Sequence, residues 1–277
     1  MTVLPVPSPV LLRLNPVALV AESFRRQSLL TGLGLLYLVA LIPVLALTAT
    51  DPRVLDGAEV WAKPAKFLAS LSMYSLTTAW FFGCVDPAYR RGPTGRTIAW
   101  TITATSLFEI VYIILQASQG QRSHFNVGDT LHIALYAMMG IAAVLLVGAS
   151  VLMAGLIVRR PLEGLRPAWR DTVVLGLLLT FLLGGGLGGY MSSGTSHFVG
   201  AAGPGLPLLG WSTTGGDLRP PHFFGIHAEQ FLPFLAPFIP GRGLLPRLAI
   251  WAAALAYAAF TLAVFAQALS GRPFLPM

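Results

Sequence analysis

Five histidines carry most of the chemistry this chain could do: His124, His132, His197, His222 and His227. All fall in, or just inside, segments that the charge pattern places on one side of a membrane. Imidazole is a metal or haem ligand and a proton carrier near neutral pH, so its concentration on one side points to a site there. His222 and His227 are joined in one stretch by Glu229 and Gln230. His222 and Glu229, seven apart, share a helical face; His227 and Gln230, three apart, share a neighbouring one. His222 and His227 themselves stand roughly 140° apart around a helix, so they do not converge on one ion unaided. A divalent-metal site, with His132, His222 and His227 as candidate ligands, therefore needs one of His222 and His227 together with His132, His197 or a carboxylate. A haem b held by His132 with His222 or His227 needs the same, with Arg219, Lys66 or Arg122 on the propionates. A quinone site would use His, Gln116, Gln230 and Tyr as hydrogen-bond partners. All three schemes draw on the same residues, and the sequence does not choose among them.

A second pattern lies between residues 97 and 119. Thr97, Thr101, Thr105, Glu109, Tyr112, Gln116 and Gln119 follow at steps of four or three, which places them on one helical face. Glu109 sits mid-segment, where a charged carboxylate is costly unless it is protonated, paired or facing water. Glu109 and Lys66 are the candidate catalytic pair, with Lys66 either snorkelling outward or turned in as a cation. His124, Asn126, His197, Trp211 and Asp217 are candidates for binding from the loops. There is no His-Glu-x-x-His run, no Gly-x-Ser-x-Gly elbow around Ser196 and His197, and no phosphate loop or dinucleotide fingerprint.

These residues are embedded in a chain of 277 residues that is 55% hydrophobic and 10% charged, with mean hydropathy +0.71. A soluble domain carries about 25% charged residues, so lipid is the expected solvent. Apolar runs near the span length of about 20 residues recur at 28–50, 66–85, 97–119, 131–158, 172–191, 222–240 and 245–270. The sixth is interrupted by Pro233, Pro237 and Pro240. The expected fold is an all-α polytopic bundle of about seven spans. Residues 1–27 form a cytoplasmic tail with a short interfacial helix, 28–270 form one transmembrane domain, and 271–277 form an outer tail. Twelve arginines fall on one side: Arg13, Arg25, Arg26, Arg90, Arg91, Arg96, Arg159, Arg160, Arg166, Arg170, Arg242 and Arg247. The other side has six cations: Arg53, Lys63, Lys66, Arg122, Arg219 and Arg272. The positive-inside bias puts the N-terminus in the cytoplasm. The net charge of +7 thus reflects topology, and no basic face on a soluble module suggests nucleic acid. Cys84, the single cysteine, allows no internal disulfide.

Gly184, Gly185, Gly186, Gly188 and Gly189 predict close helix packing in the fifth span. Residues 192–221 form the longest loop, rich in glycine and proline. The expected arrangement turns the polar face of the third span towards the second, fourth and sixth. It surrounds an outward-facing cavity reached by Glu109, Lys66, His132, His222 and His227 and capped by that loop.

Three stretches, Trp-Ala-Lys-Pro-Ala-Lys-Phe at 61–67, the run 109–126 from Glu109 to Asn126, and the run 204–233, resemble signatures of a family of uncharacterised bacterial multi-pass inner-membrane proteins. The resemblance covers spans two to six and implies location in the bacterial inner membrane rather than a mechanism. It carries over Lys63, Lys66, Glu109, Gln116, Arg122, His124, Asn126, Trp211, Asp217, Arg219, His222, His227 and Gln230, and it leaves Glu229 at a variable place. A looser likeness in layout is to haem A synthases: a glycine-rich helix end, a loop with a Pro-Gly-Leu-Pro turn and tryptophan, then a histidine opening the next helix. The chain lacks their paired-cysteine loop and full set of ligand histidines. The expected function is a membrane protein whose polar cavity binds a metal, haem or quinone, in the manner of a membrane oxidoreductase. A proton-coupled transporter or small-solute binder using Glu109 is the alternative, and an assembly or scaffold subunit is a third.

Overall fold

The computed structural model describes residues 15–200, 203–206, 209–239, 241 and 243–276. Arg13 with the proline-rich tail, Pro240 and Arg242 lie outside the described residues. Helix accounts for 73% of the structure, and the strands are two-residue ladders, so the fold is all-α. Five helices are long and apolar enough to cross a membrane: α2 (Ser28–Thr50), α5 (Pro93–Ser118), α6 (Thr130–Arg159), the continuous run Pro167–Ser192 and α11 (Leu244–Leu269).

Short elements complete the order. α1 (Pro16–Arg26) precedes α2, with the Asn15 side chain capping its first turn. A small hairpin, β1 (Val54–Leu55) and β2 (Ala58–Glu59), leads into α3 (Ala62–Phe81). The short α4 (Pro87–Arg90) joins α3 to α5. α3 has spanning length but less apolarity than the five. It starts at Ala62, four residues before the run read from hydropathy, because Pro64 falls in the first turn, where its missing N–H has no helical partner to lose. Lys63 is thereby helical. The run 167–192 comprises α7 (Pro167–Leu179), a π-helical turn (Thr180–Gly185) and α8 (Gly186–Ser192). The ladder β3 (Phe198–Val199) with β4 (Gly216–Asp217) closes the long loop.

The sixth apolar segment is broken. α9 (Arg219–Ile226) and α10 (Ala228–Leu235) meet at His227 (φ −100°, ψ 10°), and a 3-10 turn (Ala236–Phe238) follows. Pro233 removes the donor that the Glu229 carbonyl would otherwise use. α9 seats against the glycines of the fifth segment. A Cβ at Gly225 would lie 2.7 Å from Gly184 N, and one at Gly188 would lie 2.7 Å from the His222 ring. The glycine run thus serves close backbone approach.

Buried polar contacts tie the long helices together. Tyr37 of α2 meets Ser106 of α5 at 2.7 Å, Ser72 of α3 donates to the Gly34 carbonyl of α2 at 2.8 Å, and Tyr74 of α3 donates to the Leu146 carbonyl of α6 at 2.9 Å. The bundle has two distinct ends. At one, Arg122 pairs with Asp56, and Arg53 donates to the Ser118 carbonyl. At the other, Asp86 N donates to Arg160 O at 2.9 Å, Leu162 N donates to Cys84 O at 2.8 Å, and Arg247 meets Asp171 at 2.7 Å. The histidines belong to the first end and most of the arginines to the second.

Candidate functional site

The stripe on α5 turns inward over its middle and emerges at both ends. Thr105, Glu109, Tyr112 and Gln116 are buried, whereas Thr97 and Gln119 are exposed. On the opposite face Trp100, Val111 and Leu115 are exposed, as suits contact with acyl chains. The stripe packs on α3 and α6 with α2 beside them, and the broken sixth segment packs instead on α7 and α11. The third and sixth segments are therefore not close packing partners, and the candidate side chains fall into two groups, one around α5 and one around the sixth segment.

On the first side, Lys63 Nζ lies 3.0 Å from His124 Nδ1. Ser123 Oγ is 3.2 Å from the same nitrogen. Lys63 makes no ion pair among the described residues. The Phe67 ring, one turn along α3, has its centroid 6.0 Å from Nζ. His124 packs against Phe67 at 5.9 Å and Tyr136 at 6.0 Å. Glu109 lies within electrostatic reach of Lys63. It is 5% exposed, and its Oε1 has no hydrogen-bond partner among the described residues. An unpartnered buried carboxyl oxygen is uncommon in a folded protein and calls for an explanation.

On the second side, His222 Nδ1 is 3.1 Å from the Gly184 carbonyl in the π-helical turn. His227 Nδ1 is 3.3 Å from Gln230 Oε1. The Gln230 amide donates to Glu229 Oε1 at 3.2 Å, and Ser150 Oγ donates to Glu229 Oε2 at 3.2 Å. Ser150 also meets Tyr74 OH at 3.0 Å. A continuous polar series thus runs from His227 through Gln230, Glu229 and Ser150 to Tyr74, linking α10, α6 and α3. Glu229 is fully buried, and this series accounts for both of its oxygens.

His124 and His222 are both half-buried, and His124 lies within the electrostatic reach of His222. The two half-buried rings border the region between the two sides, called the recess below. Burial first, then the Lys63 ammonium and His222, hold the His124 imidazole well below its usual range. His197 lies in the loop above. Burial first, then the Arg219 guanidinium, push it down to about 4. Its Nε2 has no hydrogen-bond partner among the described residues.

The remaining candidates have other occupations. His132 is turned away from the recess: its Nδ1 meets Asp129 Oδ2 at 2.6 Å and its Nε2 meets Gln121 Oε1 at 3.2 Å. It therefore does not join His222 and His227, and no group of three His, Cys, Asp or Glu side chains is placed to hold a metal among the described residues. His132 is thus engaged by Asp129 and Gln121 and is not set beside His222 or His227 as the metal and haem schemes require. Lys66 is exposed and donates to the Leu209 carbonyl at 3.0 Å, so it fastens the long loop, and Lys63 is the cation whose field reaches Glu109. Gln116 donates to Tyr112 OH at 2.8 Å along its own helix. Asn126 donates to the Arg122 carbonyl at 3.0 Å within its loop. Asp217, 2% exposed, receives Arg219 Nε at 3.0 Å and Ser212 N at 2.9 Å. Trp211 is wedged among Phe223, Phe224 and Phe274. Asp217, Arg219 and Trp211 thus anchor the cap and have little side chain left for a ligand.

Comparison with protein families, with curated proteins and with solved structures finds no match to this chain. Lys63 is the site residue that hydropathy undervalues. Its signal was Pro64, which marks a helix start as readily as a loop.

Proposed function

We propose that this chain is a multi-pass membrane protein that binds a small organic molecule in the recess at its histidine end and exchanges a proton with it. In this reading seven segments cross a bacterial inner membrane, the sixth as a broken pair of short helices. The arginine end and the N-terminus face the cytoplasm. The twelve-to-six distribution of cations supports that orientation, and the resemblance of the 61–67, 109–126 and 204–233 stretches to bacterial inner-membrane proteins supports the location.

One observation carries the functional reading. Lys63 Nζ is held 3.0 Å from His124 Nδ1, and the unpartnered oxygen of Glu109 lies buried within the field of that lysine. An amine, an imidazole and a carboxyl around one recess provide a donor, a proton carrier and an acceptor. Such a set recognises a ligand with a carbonyl or acidic oxygen, and Phe67 and Tyr136 supply an apolar wall. The purified protein should gain thermal stability from such a ligand in a panel of quinones, carboxylic acids and carbonyl compounds. The gain should be lost in Glu109→Gln. A panel that leaves both proteins unshifted refutes the reading.

A second reading, haem- or quinone-linked redox chemistry, is favoured by two half-buried imidazoles, His124 and His222, at the same end of the bundle. Both rings have Nδ1 engaged, on Lys63 and on the Gly184 carbonyl. The absorption spectrum of protein expressed with ample haem tests the haem form; absence of a Soret band removes it.

A further inference from the structure

Lys63 and Lys66 are the only lysines in the sequence, and the fold places them in opposite situations. Lys66 is exposed and bonded to a backbone carbonyl. Lys63 is drawn into the recess, and its hydrogen-bond partner is the neutral-capable nitrogen of an imidazole. A lysine shielded from water and lacking a carboxylate in salt-bridge contact is the kind that works as a nucleophile, because its amine is available when a base removes the proton. His124 Nδ1, which receives the Nζ hydrogen bond, is placed to relay a proton away from the nitrogen once the amine has attacked. The buried, unpartnered oxygen of Glu109 is a second proton exchanger, carried on the α5 segment that packs against α3 around Phe67 and Phe108. Phe67 and Tyr136 flank His124 and make one wall of the recess aromatic.

We infer that Lys63 forms an imine with an apolar aldehyde or ketone, with His124 moving the proton and Glu109 balancing the charge. This rests on the reading of the recess as a small-molecule site and narrows its ligand to a carbonyl compound. Nζ, as the free amine, attacks the carbonyl carbon. A C–N bond forms and the C=O π pair moves to oxygen. The proton leaving nitrogen passes through His124 to that oxygen, giving the carbinolamine. Glu109, entering as the neutral acid, protonates the hydroxyl, and the C–O bond breaks to release water. The nitrogen lone pair closes C=N. The products are water, an iminium on Lys63 and the Glu109 carboxylate beside it, so charge and atoms balance without an oxidant or reductant.

The two-lysine sequence makes the test direct. Full-length protein in lipid nanodiscs is incubated with benzaldehyde, reduced with sodium cyanoborohydride, digested and analysed by mass spectrometry. Benzylation should favour Lys63 over Lys66 by about ten to one. Glu109→Gln should bring that ratio towards one, and Lys63→Arg should leave only the weak Lys66 signal. Equal labelling of the two lysines, preference for Lys66, or no adduct on either overturns the inference. Thermal stabilisation by a carbonyl compound without a trapped adduct on Lys63 would sink the imine while leaving the binding site standing.

Discussion

The Nδ1 atom of His222 and the carbonyl oxygen of Gly184 are 3.1 Å apart, which joins the broken sixth segment to the π-helical turn of the fifth. A carbonyl only accepts, so Nδ1 of His222 carries the proton and Nε2 keeps its lone pair. The contact requires the two backbones to approach, and the glycines at 184, 188 and 225 permit it.

Gly188→Ala places a methyl group 2.7 Å from His222 Cε1, and the ring must give way. Overpacking at such a contact costs about 1–3 kcal/mol. The thermal midpoint of the purified protein should fall. Gly186→Ala, whose added Cβ meets nothing within 4 Å, should leave it unchanged.

Tyr74→Phe removes the hydroxyl that meets both Ser150 and the Leu146 carbonyl. Loss of a hydrogen bond that leaves buried partners unsatisfied costs about 1–3 kcal/mol. Glu229→Gln keeps the shape and the capacity to accept from Ser150, so it should cost less than Glu229→Leu. Unfolding by denaturing detergent, followed by circular dichroism, ranks the three.

Asp217→Asn should loosen the cap. It leaves Arg219 without its carboxylate and weakens the bond from Ser212 N. The expected loss is about 1–3 kcal/mol, because Arg219 keeps one open side to water. Hydrogen exchange should rise across residues 209–219. Lys66→Ala, which frees only the Leu209 carbonyl, should raise exchange near residue 209 with a smaller thermal effect.

Acid should destabilise the histidine end. His197 is pushed down to about 4, and His124 is held well below its usual value. The unfolded chain binds these protons at ordinary histidine values and the folded chain does not. Their contribution to stability is therefore full above about pH 6.5 and declines as pH falls from there towards the folded values. The thermal midpoint should drop between about pH 6.5 and about pH 4. His197→Gln should flatten part of that drop, and a profile identical to that of the unsubstituted protein would contradict the assignment.

Helix positions and the inward polar stripe were legible because both follow from periodicity and hydropathy. The steps from Thr105 through Glu109 and Tyr112 to Gln116 define one face, and that face is buried. The partners of the site residues were less legible. His132 opens its helix as a ligand would, yet Asp129 and Gln121, both close in sequence, satisfy its ring. Lys66 and Lys63 have similar surroundings in sequence, and only the actual helix start decides which one enters the recess. Trp211 and Asp217 resemble binding-loop residues, yet tryptophan and aspartate also hold a loop shut, and here they do so. Which helices neighbour the sixth segment depends on the three-dimensional arrangement, and local spacing does not encode it.

The division of the sixth segment at His227 has a consequence for biogenesis. Two eight-residue pieces rich in proline are poor candidates for autonomous insertion as the nascent chain emerges. The glycine-lined partner at 184–188 is synthesised first, so a docking surface exists before residues 222–226 arrive. A lesion in that glycine track should therefore surface as an assembly defect at the histidine end rather than as a failure of the fifth segment to insert.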